Sequence, residues 1–180
     1  MVRRLGKLFF LCLAAWPVSG CGYTAHSLLP AEVKSVYVAP VKNAIDLSGE
    51  TGEKSRFRVY RPGLEVDVTN AIINRFIFDG NLKVAPPERA NAVLEAKLLD
   101  YRRDPLRYNG ADDVQEYRLS VKVDVVFFQM PGHKVLWHEM LVGDTTFFLS
   151  GPRAIGEDEA AAKAVEDLAL RVVEKTVELW

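Results

Sequence analysis

Arg102, Arg103 and Arg107 crowd into six residues, with Tyr101 and Tyr108 on either side and Arg118 and Lys122 a short way on. A guanidinium group is a planar fork of donors that fits a phosphate or carboxylate bidentately, and lysine adds a compact point charge. The chemistry this group suggests is recognition of an anion. The competing reading is a solvated sheet face held by ordinary salt bridges. Other reactive types are scattered. His26, His133 and His138 have no acidic or thiol neighbours at metal-ligand spacing. Ser27, Ser48 and Ser150 lack a G-x-S-x-G context. Glu157-Asp158-Glu159 reads as the acidic first turn of a helix rather than as a calcium loop. These absences argue against an enzyme, and no metal or cofactor is expected.

One further residue is placed to be modified. Arg3, Arg4 and Lys7 precede the apolar run Leu8–Trp16, which is too short to span a bilayer as a helix. A basic start, a short apolar core and small residues at its end describe a secretory signal over residues 1–20. Val18-Ser19-Gly20-Cys21 resembles the lipobox of bacterial lipoproteins. That resemblance implies a diacylglycerol on the Cys21 sulfur and, after cleavage, an acyl group on its amine. Such a multiply acylated residue can anchor a protein, where one chain binds only marginally. Gly22 is not the Asp that retains lipoproteins at the inner membrane, so the same resemblance implies the outer membrane.

Cleavage removes three of the 23 Lys and Arg residues and none of the 24 Asp and Glu, taking the formal charge from −1 to −4. A general nucleic-acid binder would be strongly basic. Cys12 leaves with the signal and Cys21 is consumed by lipid, so no disulfide or cysteine nucleophile is expected in the mature chain. The remaining 160 residues have the size of one domain.

The elements that must position these side chains follow from periodicity. Residues 21–32 read as a lipidated, extended tether, and Val33–Val41 as a β-rich strand ending near Pro40. Asn43–Arg61 has loop composition. Leu64, Val68, Ala71, Ile72 and Phe76 recur at helical spacing over Leu64–Phe78, and Gly80 stands at the stop. Leu82–Ala85 is a short extended piece, and alternation favours a strand over Asn91–Tyr101. From Glu116 to Phe128 alternation is strict. Tyr117, Leu119, Val121, Val123, Val125 and Phe127 fall on one face, against Arg118, Ser120, Lys122 and Asp124 on the other. After a turn at Met130–His133, Val135–Leu149 answers as partner of a long hairpin. Glu157–Leu179 forms the last helix, with a stripe of Ala161, Val165, Leu168, Val172, Thr176 and Leu179. The expected fold is α+β: order β-α-β-β-β-α, with two helices on one face of a small mixed sheet of about four strands.

The chain also resembles the LPS-assembly lipoprotein LptE family. The matching segments are Cys21-Gly22-Tyr23, Leu29-Pro30, Val36-Tyr37-Val38-Ala39-Pro40 with Asn43, and Leu64-Glu65 with Thr69 and Ala71. Ala90-Asn91-Ala92-Val93-Leu94-Glu95-Ala96, Tyr101-Arg102-Arg103-Asp104-Pro105 and Glu116-Tyr117-Arg118-Leu119 continue the series in order. Asn91 and Ala96 depart from the acidic residue and glycine usual there, and the Asn43–Arg61 loop is longer than in the shortest relatives. The resemblance implies one LptE-like domain over residues 33–180. It also implies a role as plug and assembly partner of the LptD β-barrel, delivering lipopolysaccharide to the outer leaflet. The anion met by Arg102, Arg103, Arg107, Arg118 and Lys122 would then be lipopolysaccharide, or those residues would face the barrel lumen. The rival reading is a lipoprotein adaptor of another envelope machine, such as a cell-wall synthesis regulator or a secretion-pore subunit.

Overall fold

The computed structural model describes residues 29–45 and 61–178. Cys21 and the signal, His26, Ser27, Ser48, Leu179 and most of the Asn43–Arg61 loop lie outside the described residues. Two short strands come first, β1 (Ser35–Val38) and β2 (Lys42–Asn43). They are followed by α1 (Leu64–Asp79), β3 (Lys83–Val84), β4 (Ala92–Tyr108), β5 (Val114–Gln129), β6 (Lys134–Phe148) and α2 (Glu157–Glu178).

The strands form one mixed sheet in the order β3-β1-β4-β5-β6, with β2 continuing beside β4. β1 lies parallel to β3 and β4, β2 is parallel to β4, and β4, β5 and β6 run antiparallel. The α+β class and the two helices match the sequence expectation, but the sheet has six strands rather than about four. The expected first strand is split in two around Pro40, which has no N–H to give a ladder. Within the expected tether, Leu29 is already buried in the core, and the Val33 N–H donates to the Pro30 carbonyl at 2.8 Å.

Directly paired residues in neighbouring strands share a face. The register therefore builds rows across β4, β5 and β6: Leu94–Phe127–Trp137, Ala96–Val125–Glu139, Leu98–Val123–Leu141 and Tyr101–Val121–Gly143. Nearly all of these side chains are buried, and both helices cover this face. From α1, Leu64, Val68, Ile72 and Phe76 point inward. Its end is set by Gly80, which adopts φ 77° and donates its N–H to the Phe76 carbonyl at 3.1 Å. That left-handed closing turn suits glycine because no Cβ is present to clash.

α2 buries Ala160, Ala161, Ala164, Val165, Leu168, Ala169, Val172, Val173, Thr176 and Val177. Thr176 is satisfied inside the core by donating its hydroxyl to the Val172 carbonyl at 2.7 Å. The alanines on one side of the stripe let the helix backbone approach β6 closely. A Cβ placed on Gly143 would lie 2.4 Å from the Ala164 carbonyl oxygen and from the Leu168 backbone nitrogen. The axis of α2 thus runs directly over β6. No helix among the described residues is long and apolar enough to cross a membrane.

Candidate functional site

The five basic residues singled out in the sequence do not share one face. Along β4, Leu94, Ala96 and Leu98 point toward the helices, so unbroken alternation would send Arg102 the same way. A register shift between Leu98 and Asp100 inserts one residue and reverses the phase. Tyr101 and Arg103 turn toward the helices instead, opposite Val121 and Leu119, and Arg102 turns to the open face opposite Ser120. A second shift between Pro105 and Arg107 reverses the phase again and brings Arg107 to the open face opposite Glu116. Arg118 and Lys122 also stand on that face. Four of the five candidates are therefore gathered on the uncovered side, and Arg103 is not among them.

Arg103 belongs to a polar node on the covered side. Its guanidinium pairs with Glu157 in the first turn of α2 and lies over the Tyr117 ring, 4.8 Å from the centroid. The buried Tyr101 hydroxyl also reaches Glu157, at 3.5 Å. Burial, then the nearby Glu157 carboxylate, pushes the Tyr101 hydroxyl up to about 12. Arg61, just before α1, binds Asp158 at 2.7 Å. Glu157 and Asp158 thus do more than complement the helix dipole, since they tie the start of α2 to β4 and to the approach to α1.

On the open face, four of the rows between β4 and β5 set opposite charges against one another. Lys97 faces Asp124, Asp100 faces Lys122, Asp104 faces Arg118, and Arg107 faces Glu116. Several of these groups are in contact. Arg102 binds Asp104 at 2.9 Å, Arg107 lies 3.5 Å from Glu116, and Arg118 lies 3.9 Å from Asp144. His138 meets Asp124 at 2.7 Å, and His133 stacks on Phe128 in the β5–β6 turn. The open face is a mosaic of balanced charge rather than a basic patch. Exposed pairs of this kind stabilise the fold by at most about 1 kcal/mol each.

The balance changes at the far end of the hairpin. There Arg107 and Arg153 both lie over Phe148, at 5.9 Å and 4.6 Å from its centroid. Leu106, Tyr108 and Leu149 are exposed close by in sequence, and Tyr117 stacks on Phe147 at 5.8 Å. Among the described residues Arg153 has no carboxylate partner. Guanidinium groups beside exposed apolar and aromatic surface can hold the phosphate and the adjoining apolar part of one amphiphile. Sequence reading missed Arg153 and Phe148. The signal was present in Phe147-Phe148-Leu149, three apolar residues in a row where a half-buried strand should alternate.

Two concave regions lie elsewhere. A groove of about 660 Å³ runs between the helices, lined by Asp67, Asn74, Arg75, Phe78, Ala162 and Glu166 among others. A smaller one of about 320 Å³ on the open face is lined by Pro40, Lys42, Glu95, Lys97 and Asp124 among others. Among the described residues no three His, Cys, Asp or Glu side chains gather into a metal-binding group.

Comparison with known proteins places this geometry. A family model described as LptE, lipopolysaccharide-assembly, matches residues 33–177. A solved protein from Xanthomonas campestris is similar with a TM-score of 0.54 at 16% identity, covering 86% of this chain and 89% of its own. An uncharacterized lipoprotein B from Nitrosomonas europaea gives 0.53 at 12% identity, covering 83% and 88%. A hypothetical protein from Chlamydia trachomatis gives 0.52 at 16% identity, covering 79% and 95%. At these identities the likeness establishes a shared fold. No curated protein matches the sequence.

Proposed function

The chain belongs to the LptE family of lipopolysaccharide-assembly proteins, and on that premise we propose that it is an outer-membrane lipoprotein that plugs an LptD-like β-barrel and helps it deliver lipopolysaccharide to the outer leaflet. It acts by binding and shaping, not by catalysis. Cys21 carries the anchor, and the domain from Leu29 onward reaches into the barrel from the periplasmic side.

The observation that carries this reading is the one-sided sheet. One face is sealed by two helices, while the other exposes rows of matched charges across β4 and β5. The lumen of a large outer-membrane barrel is polar and water-filled. A charge-balanced face suits such a wall, because a charge that already has a partner costs less to strip of water than a lone one. The hairpin end supplies the lipid contact: Arg107 and Arg153 take phosphate, and Leu106, Tyr108 and Leu149 meet its apolar neighbours. Arg102, Arg118 and Lys122 serve the wall, and Arg103 holds α2.

Depletion in the native host tests the function, scoring surface lipopolysaccharide and barrel maturation together. Both are expected to fall. A normal surface with an immature cell wall would favour the adaptor reading instead. At the residue level, purified Arg107→Glu/Arg153→Glu protein should bind lipopolysaccharide several-fold more weakly than Arg118→Glu/Lys122→Glu protein. Equal binding by the two would remove the hairpin end from the lipid path.

A further inference from the structure

Besides the two-residue strands β2 and β3, the sheet leaves two longer stretches of strand without a neighbour among the described residues. One is the outer side of β4 beyond Leu98, and the other is the outer side of β6. An unpaired edge offers a row of N–H and C=O groups to any extended chain, and natural sheets guard such edges with proline, bulges, charge or a covering element. The β4 edge has several of these guards. Pro105 lies within it, three register shifts break its line, and Arg102, Arg103 and Arg107 crowd it.

The β6 edge is guarded only in part. In an antiparallel pair, alternate residues turn both backbone groups away from the neighbouring strand. The Leu149 N–H donates to the Gln115 carbonyl, whereas the Asp144 N–H donates to the Asp167 carboxylate of α2 at 3.0 Å. The Phe148 carbonyl accepts from Ile155, beyond the strand. The even-numbered residues from His138 to Phe148 are therefore the ones whose backbone faces outward. Asp144 is capped by α2 and Phe148 by the following loop. Between these caps and the β5–β6 turn, His138, Met140 and Val142 present outward N–H and C=O groups in a run with neither proline nor lysine. Met140 and Val142 are 57% and 39% exposed on the open face.

We propose that the outer edge of β6 at His138–Val142 takes an extended segment of the partner barrel protein as an added strand. The inference rests on the plug reading given above. The segment should alternate, with apolar residues on the open-face side beside Met140 and Val142. A second copy of this chain fits poorly. Antiparallel pairing of two β6 edges about Met140 would set two α2 helices on one face over strands about 4.8 Å apart, whereas packed helices need about 8–10 Å. A bare extended segment carries no helix and meets no such clash.

Proline tests the proposal because at an outward position it removes a donor from the edge and leaves the β5 ladder intact. Tagged full-length chain is purified in detergent from its own envelope, and the barrel recovered with it is measured. Met140→Pro is expected to stay folded, with its melting temperature within a few degrees of the wild type, and to recover about tenfold less barrel. In parallel, benzoylphenylalanine in place of Met140 should photo-crosslink to the barrel. If wild-type chain recovers no barrel, the plug reading fails and takes the added strand with it. If wild type and folded Met140→Pro recover equal barrel, the plug reading stands and the edge is not its contact. Should Met140→Pro fail to fold, the crosslink decides: a product with the barrel supports strand addition. A product with a second copy, a link only to the chain's own N-terminal segment, or no product overturns it.

Discussion

The two faces of the sheet solve opposite problems with the same backbone. On the covered face, side chains contribute by leaving water, and fully burying a large apolar one stabilises by about 1.5–3 kcal/mol. On the open face, the paired charges stay partly hydrated, within β4 or across strands, so each pair contributes little. The first face fixes which fold forms. The second leaves the surface free to be shaped for a partner at almost no cost to folding. Interfaces can change quickly on such a face while the core stays fixed.

That contrast can be broken in order of size. Phe127, fully buried and 6.1 Å from the Trp137 ring, should cost most. Phe127→Ala is expected to lower unfolding free energy by about 3–5 kcal/mol in urea titration. Next comes Gly143→Ala, which removes no contact yet forces α2 off β6, because the new Cβ meets helix backbone rather than a flexible side-chain tip. About 1–3 kcal/mol should be lost, and an unchanged midpoint would show that α2 does not sit against the strand as described.

Tyr101→Phe separates the node from the core. The Tyr101 hydroxyl is raised in the folded state, from 10.0 to about 12, so folding favours its protonated form. Its contribution is complete below about pH 10 and is lost as pH rises through about 12. Wild-type protein should therefore lose more stability than Tyr101→Phe between those values, since the other tyrosines are common to both. Parallel alkaline curves would count against the node. Smallest of all, Arg118→Ala on the open face should shift stability by about 0.5 kcal/mol or less.

How far the sequence could be read follows the same division. β5 was legible because both its neighbours are long strands and only one of its faces is covered, which keeps strict alternation. Both helices were legible from their apolar stripes and from Gly80. β3 was anticipated only as an extended piece, and β2 not at all, since two residues hold no period. The far half of β4 was cut short at Tyr101 because Arg102-Arg103-Asp104-Pro105 imitates a loop. Pro105 is tolerated there because β4 has no described neighbour on its outer side. Which arginine faced which way depended on two register shifts, and these are set by pairing with β5 rather than by local composition. The pairing of charges into rows is likewise a property of register. The covered face could therefore be foreseen from periodicity, while the candidate site had to await the fold.

The place of α2 in the chain has a consequence for biogenesis. The 22-residue helix α2 is the lid on β6 and on part of β5, yet every chain emerges from the ribosome with its N-terminus first. Until Glu157 and the residues after it have emerged, Val121, Val123, Val125 and Phe127 lack the cover that α2 provides. Until then the domain holds an unsealed, adhesive form, and under the export proposed above that form would be a natural client for a periplasmic holdase. Arrival of α2 is then the event that seals the face.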